Sequence, residues 1–165
     1  MAVKTYLGLE TPILFADAAQ NEQATLTLSA LAAGVGRVSA RYDRGASAKA
    51  ALYEWRFHCS LTGTNVVGAT IELYAFTSDG SNPDGEIGTA DAALATNKRQ
   101  NGKPLGLLVV DQTTTNTIMT ASGLVLLAQR YVSIGVWNNT ALPFTTSTSA
   151  HGCVLTPLAW EFVHV

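Results

Sequence analysis

The side chains that could do chemistry in this chain are few and stand mostly apart. Three histidines and two cysteines are the candidates for metal binding or nucleophilic catalysis: His58, His151, His164, Cys59 and Cys153. His151 and Cys153 are two residues apart, so a strand would place both on one face, as a cysteine–histidine pair requires. Such a pair also needs a cleft around it, and a buried structural cysteine is the better-supported interpretation of Cys153. The histidines show neither HxH nor HExxH spacing, so no zinc site is expected.

The two cysteines do not form the framework of a disulfide-rich protein. Cys59 continues the apolar face of a predicted strand, Tyr53–Leu61, and we expect it to be a buried free thiol. A bridge from Cys59 to Cys153 would require their strands to be neighbours, which the sequence leaves open.

A polar loop, Ser78–Gly88, is the best candidate for a calcium site. Four of its side chains carry oxygen ligands: Asp79, Asn82, Asp84 and Glu86. The spacing of an EF-hand fails, because Pro83 occupies a ligand position and Asp84 stands where that loop needs glycine. The pattern therefore predicts an ordinary polar turn. We also find no GxSxG motif and no glycine-rich phosphate loop, so we predict a non-enzymatic protein with no catalytic residues, no metal and no cofactor.

The composition is unusually poor in charge. Only 13% of the residues are Asp, Glu, Lys or Arg and 47% are apolar, against roughly 25% charged residues in an ordinary domain. The net charge of −2 argues against a nucleic-acid partner. No segment has the length of a membrane span, and the N-terminal segment lacks the apolar core of a secretory signal, which predicts synthesis in a cytoplasm and no membrane partner. A surface with little charge favours a protein that is covered by partners in an assembly.

Alternation of apolar and polar residues predicts an all-β chain. The clearest strand is Tyr53–Leu61, whose inward face would hold Tyr53, Trp55, Phe57, Cys59 and Leu61. Val66–Phe76 is the next strand, with Val67 inward, and Thr62–Asn65 between them predicts a hairpin turn. Further strands are predicted at Thr25–Leu28, Arg37–Asp43, Leu105–Val110, Thr115–Thr120, Leu124–Ala128, Tyr131–Trp137, Cys153–Thr156 and Leu158–His164.

The segments between these strands give the remaining organisation. Thr89–Thr96 is rich in alanine and predicts one or two helical turns, Asn97–Pro104 is turn-like, and Asn138–Ala150 predicts a long exposed loop. Nine or ten short strands without a long helix or a linker predict one domain over residues 1–165. We expect a single-domain β-sandwich, jelly-roll-like, with an N-terminal arm over residues 1–24.

Three tryptophans lie in alternating segments. Trp55 shares a face with Tyr53 and Phe57 and is expected in the core. Trp137 and Trp160 are also more typical of core positions, but exposed aromatic side chains in sandwiches can stack on sugars. A carbohydrate-binding or receptor-binding sandwich that uses Trp137, Trp160 or Tyr74 therefore stays open as an alternative.

Several segments together resemble small virion proteins of tailed bacteriophages. They are GRVSARYDRGASAKAALYEWRF (36–57), IELYAFTSDG (71–80), GEIGTADAAL (85–94), KPLGLLVVD (103–111), ASGLVLLAQRYVSIGVWNNTA (121–141) and VLTPLAWE (154–161). The resemblance covers about two thirds of the chain and contains no catalytic motif. It implies a β-sandwich with a structural role in the phage particle.

The function that this resemblance implies is that of a capsid decoration, or cement, protein on the outside of the head. The implied partners are the major capsid protein and neighbouring copies of this chain, arranged as a homotrimer. The alternatives are a component of the tail, neck or fibre that binds a carbohydrate receptor, an enzyme of unrecognised type, and a bacterial β-sandwich outside phages.

Overall fold

The chain folds almost entirely into short β-strands. The computed structural model describes residues 3–6, 11–18, 20–46, 51–81, 83, 87–158 and 161–164, and for the first and last of these segments it describes the backbone alone. The strands are β1 Val3–Tyr6, β2 Ile13–Ala16, β3 Ala24–Thr25, β4 Gly36–Val38, β5 Tyr42–Asp43, β6 Leu52–Cys59, β7 Thr70–Ser78, β8 Ala92–Leu94, β9 Lys103–Val109, β10 Met119–Leu126, β11 Tyr131–Asn138, β12 Gly152–Pro157 and β13 Glu161–His164. Within the described residues the only helices are two 3-10 turns, Arg99–Asn101 and Thr148–Ala150.

Two sheets contain all of these strands except β1 and β13, which pair with each other. The five-stranded sheet has the order β10-β6-β12-β2-β3. The six-stranded sheet has the order β8-β4-β11-β7-β9, and β5 also pairs with β11. The sheets pack against each other around one apolar interior, so the predicted all-β, single-domain sandwich is confirmed.

The longer strands reproduce the connectivity of a jelly roll. Without β3, β5 and β8, the two sheets read β2-β12-β6-β10 and β4-β11-β7-β9, with antiparallel neighbours throughout. Of the seven connections between consecutive members of this set, only the one from β7 to β9 stays within a sheet. All other connections cross from one sheet to the other, so neither sheet is built from one continuous segment of the chain.

The strand phase predicted for β6 is confirmed. Tyr53, Trp55 and Phe57 are buried in the main core, whereas Glu54 and Arg56 are exposed. The Trp55 ring lies against β9 and β10, each of which is an edge strand of its sheet. A Cβ atom added at Gly106 on β9 would lie 2.9 Å from that ring, and one added at Gly123 on β10 would lie 2.8 Å from its Nε1 atom. Glycine at both positions therefore makes room for the indole.

A second, smaller core lies on the outer face of the six-stranded sheet. It consists of four buried side chains, Val38, Phe76, Leu94 and Trp137. Strand β8 brings Leu94 to this cluster by pairing with β4. Because of this cluster, side chains on both faces of the six-stranded sheet are buried.

Several local expectations are wrong. Thr62–Asn65 is not a hairpin turn, because β6 and β7 lie in different sheets. β7 begins at Thr70, and Val67 is 58% exposed in the preceding crossover. Thr89–Thr96 contains a strand, Ala92–Leu94, instead of a helical turn.

Another concerns Asn138–Ala150, which is not an exposed loop along its whole length. Phe144 is buried, and the Asn138 side chain donates hydrogen bonds to the carbonyl oxygens of Ala32 at 3.1 Å and Leu142 at 2.8 Å. The segment is folded back over the end of the sandwich. The two strands predicted at Thr115–Thr120 and Leu124–Ala128 are a single strand, Met119–Leu126.

The predicted N-terminal arm over residues 1–24 is too long. Ile13–Ala16 is a strand inside the five-stranded sheet, between β12 and β3, and Ile13 and Phe15 belong to the main core. An arm that leaves the sandwich is therefore limited to residues before Ile13.

Candidate interaction surface

His151, which the sequence analysis considered as a partner of Cys153, is buried and hydrogen-bonded to other residues. The Ser60 N–H donates to His151 Nδ1 at 3.4 Å, and the protonated Nε2 faces the Thr145 carbonyl oxygen at 3.0 Å. Burial lowers the pKa of His151, so the ring is neutral at pH 7. The two ring nitrogens link His151 to Ser60, the residue after β6, and to Thr145 in the 138–150 segment, and no hydrogen bond joins the ring to Cys153.

The two cysteines lie on neighbouring strands, but the register keeps them free. Cys153 is opposite Phe57, and Cys59 is opposite Met119 on the other side of β6. Both thiols are free and buried. Burial raises the pKa of Cys153 to about 12 and that of Cys59 further still. Since the thiolate is the nucleophile, neither residue is suited to nucleophilic catalysis.

The calcium candidate is described only in part. Asp79 Oδ1 accepts a hydrogen bond from the Ser81 N–H at 2.7 Å, as in an ordinary Asx turn. Asn82, Asp84 and Glu86 lie outside the described residues. Among the residues that are described, no three His, Cys, Asp or Glu side chains come together as a metal site.

Trp137 is not available as a platform for a sugar. It is 7% exposed, and the Arg99 guanidinium lies over its ring at 4.6 Å. Arg99 also pairs with Glu72 at 3.0 Å, and Glu72 accepts a hydrogen bond from the Tyr74 hydroxyl at 2.5 Å. Burial and the Glu72 carboxylate raise the pKa of Tyr74 to about 12. Trp160 lies outside the described residues.

Several of the few charges on the surface are already paired within the chain. Besides the Arg99–Glu72 pair, Arg37 binds Asp91 at 2.5 Å and Arg130 binds Asp43 at 2.6 Å. The hydrogen bond from Arg130 lowers the pKa of Asp43 to about 2. These pairs further reduce the charge that the folded surface presents to a partner.

A hydroxyl-lined cleft of about 480 Å³ lies beside the 138–150 segment. Thr62, Thr146, Ser147 and Ser149 contribute hydroxyl groups, and Ile118 adds an apolar side chain that is 52% exposed. None of its lining residues is formally charged. The cleft can therefore offer hydrogen bonds to a neutral partner, and no motif in the sequence points to it.

A second candidate surface is the outer face of the five-stranded sheet, which we call the β6 face. Its outward side chains are Leu14, Leu52, Glu54, Arg56, His58, Thr120, Ser122, Leu124, Leu126, Val154 and Thr156. Leu124 and Leu126 are 62% and 59% exposed. Glu54 and Arg56 are the only acidic or basic side chains among these residues apart from His58, whose pKa is lowered by burial.

Comparison with known proteins leaves the function to be argued from these surfaces. No protein-family model matches the chain, and no curated protein matches it either. Among the described residues, no helix is long and apolar enough to cross a membrane.

Proposed function

We propose that this chain is a non-enzymatic structural protein of a bacteriophage virion, and that it decorates the outside of the assembled head and stabilises it. Its partners in this proposal are the major capsid protein and further copies of the chain, arranged as a homotrimer. The resemblance to phage virion proteins suggested the proposal. The observation that carries it is that the folded surface has few charges and exposes neutral side chains.

That surface is poor in charge and includes the largely neutral β6 face. Three arginines are engaged in ion pairs with acidic side chains of the same chain, and the β6 face exposes two leucines beside hydroxyl side chains. Burying neutral groups of this kind costs much less free energy than burying lysine or glutamate. A cement protein requires such a surface, because it must cover large areas of a preformed shell.

The fold and the candidate chemistry are consistent with the proposal. Jelly rolls are frequent in viral capsid domains, which is an argument from analogy at the level of the fold. The side chains that could have served an enzyme, His151, Cys59 and Cys153, are buried and act as packing or hydrogen-bonding groups.

The experiment compares phage particles with and without this protein. Binding that occurs only on the assembled shell stabilises that shell by mass action. We expect particles lacking the protein to release DNA at a lower temperature and in less chelator, and added purified protein to restore both. Mass spectrometry of intact particles should give a copy number that matches the capsid lattice.

A second candidate, a tail, neck or fibre component that binds a carbohydrate receptor, is favoured by one observation. The neutral cleft beside the 138–150 segment presents hydroxyl groups and an exposed isoleucine, which suit a polar, uncharged ligand. If particles without the protein are equally stable but no longer attach to the host, this candidate replaces the first.

A further inference from the structure

We infer that the β6 face is a self-association surface, on which a second copy of this chain packs face to face with its β6 antiparallel to the first. The inference does not depend on the proposed virion role, because it concerns the isolated protein.

The charges of the face are arranged to complement themselves. Glu54 and Arg56 lie two residues apart on β6, so both point outward and their Cα atoms are about 7 Å apart along the strand. A two-fold axis that lies in the plane of the contact, across β6 at Trp55, places Glu54 of one copy opposite Arg56 of the other. The same operation creates the reciprocal pair, so every copy has both of its charges matched.

A parallel arrangement of the two strands is disfavoured by the same charges. It would place Glu54 opposite Glu54 and Arg56 opposite Arg56, and like charges facing each other oppose association. The charge pattern therefore selects the second copy, and it also selects one orientation of that copy.

The neutral side chains around the pair suit a contact of this kind. Leu124 is beside Glu54 in the register and Ser122 is beside Arg56, so the two-fold operation sets each Leu124 against Ser122 of the other copy. On the opposite flank of β6, Thr156 is beside Glu54 and Val154 is beside Arg56. The contact then contains small or apolar groups on both sides of the two ion pairs, and it removes the exposed Leu124 from water.

The size of the face indicates a weak dimer. The length of β6 and the spacing of its neighbouring strands give a face of roughly 27 Å by about 20 Å. Two such faces would bury about 1,000 Å² in total, which is at the lower limit of specific interfaces. We therefore expect association in the micromolar range. On a particle, a two-fold contact of this kind would join copies that belong to neighbouring trimers.

The test is sedimentation equilibrium of the purified full-length protein over a range of about 1–300 μM. We expect a monomer–dimer equilibrium that weakens with salt, because the two central pairs are electrostatic. Glu54→Arg alone and Arg56→Glu alone each place like charges opposite one another, and each should weaken dimerisation at least about tenfold. The double variant restores opposite charges in reversed order and should return to within about threefold of the parent.

Asp111→Arg is the matched control, since Asp111 is exposed and lies outside the β6 face; it should leave the dimer unchanged. Far-ultraviolet circular dichroism and thermal unfolding confirm that each variant is folded. A protein that stays monomeric at 300 μM overturns the inference. So does a dimer or trimer that is insensitive to both single reversals, or a double variant as weak as the single ones.

Discussion

The replacement Trp55→Ala is the most informative perturbation of this fold, because the indole fills the space between the edge strands β9 and β10. Trp55 is 3% exposed and lies against Gly106 and Gly123. A buried tryptophan removes about 150–250 Å² from water, which corresponds to about 4–6 kcal/mol at about 25 cal/mol per Å². Two corrections act in opposite directions: the alanine leaves a cavity, but the Trp55 Nε1–H has no hydrogen-bond partner among the described residues, and its removal relieves about 1–3 kcal/mol.

The expected loss is therefore about 4 kcal/mol, within the range seen for large-to-small core replacements. For a domain of this size it corresponds to a fall in Tm of roughly 8–16 °C. Urea unfolding followed by circular dichroism measures the free energy, and calorimetry measures Tm. Trp55→Phe keeps an aromatic ring and removes the unpartnered N–H, so it should cost clearly less than the alanine replacement. An alanine variant that unfolds within two degrees of the parent would refute the packing argument, and a phenylalanine variant as unstable as the alanine one would show that the N–H is bonded.

Three further predictions concern core packing, histidine protonation and thiol burial. Gly123→Ala places a Cβ about 2.8 Å from the indole and should destabilise the protein by about 1–3 kcal/mol in urea unfolding; an unchanged midpoint would contradict the close approach of the edge strands. Burial lowers the pKa of His151 and of His58 in the folded protein. Near and below pH 6.5 the unfolded chain therefore binds more protons than the folded one, and the free energy of unfolding should fall as the pH drops from about 6.5. His151→Gln should reduce that slope without abolishing it, and equal slopes would argue against a buried neutral ring. Cys59 and Cys153 should react with a thiol reagent only at the rate of unfolding, and rapid labelling in the native protein would contradict their burial.

The sequence predicted the phase of single strands well, because that phase depends only on local alternation. The inward side of β6 followed from apolar residues at every second position. The partners of each strand depend on contacts that are distant in sequence. Gly63 correctly marks a turn with positive φ, but a turn signal does not say whether the next strand returns to the same sheet or crosses to the other.

The other differences between prediction and structure have a similar physical origin. Alanine-rich sequence favours helix weakly, and at Ala92–Leu94 the pairing with β4 and the burial of Leu94 outweigh that preference. Trp137 could be assigned to a strand from sequence, but its cover comes from Arg99, which lies far earlier in the chain. The sequence alone predicts that Glu54 and Arg56 share the outward face of β6. The presence of Leu124 and Val154 beside them follows only from the strand register, which the sequence does not give.

The crossing connections also determine how fast this protein can reach its native state. Because six of the seven links between the long strands change sheet, β7 and β9 are the only long strands that can pair without first closing a loop through the other sheet. Topologies dominated by such distant pairings fold in milliseconds to seconds, far more slowly than helical bundles of similar size. During that time the edges of β9 and β10 have no cover. One end of β9 is protected from pairing with other chains, because it contains Lys103 and Pro104 and its pairing with β7 is irregular at Leu73/Tyr74. The opposite end, where Leu107 and Val109 are exposed, is the place where newly made chains would aggregate at high expression.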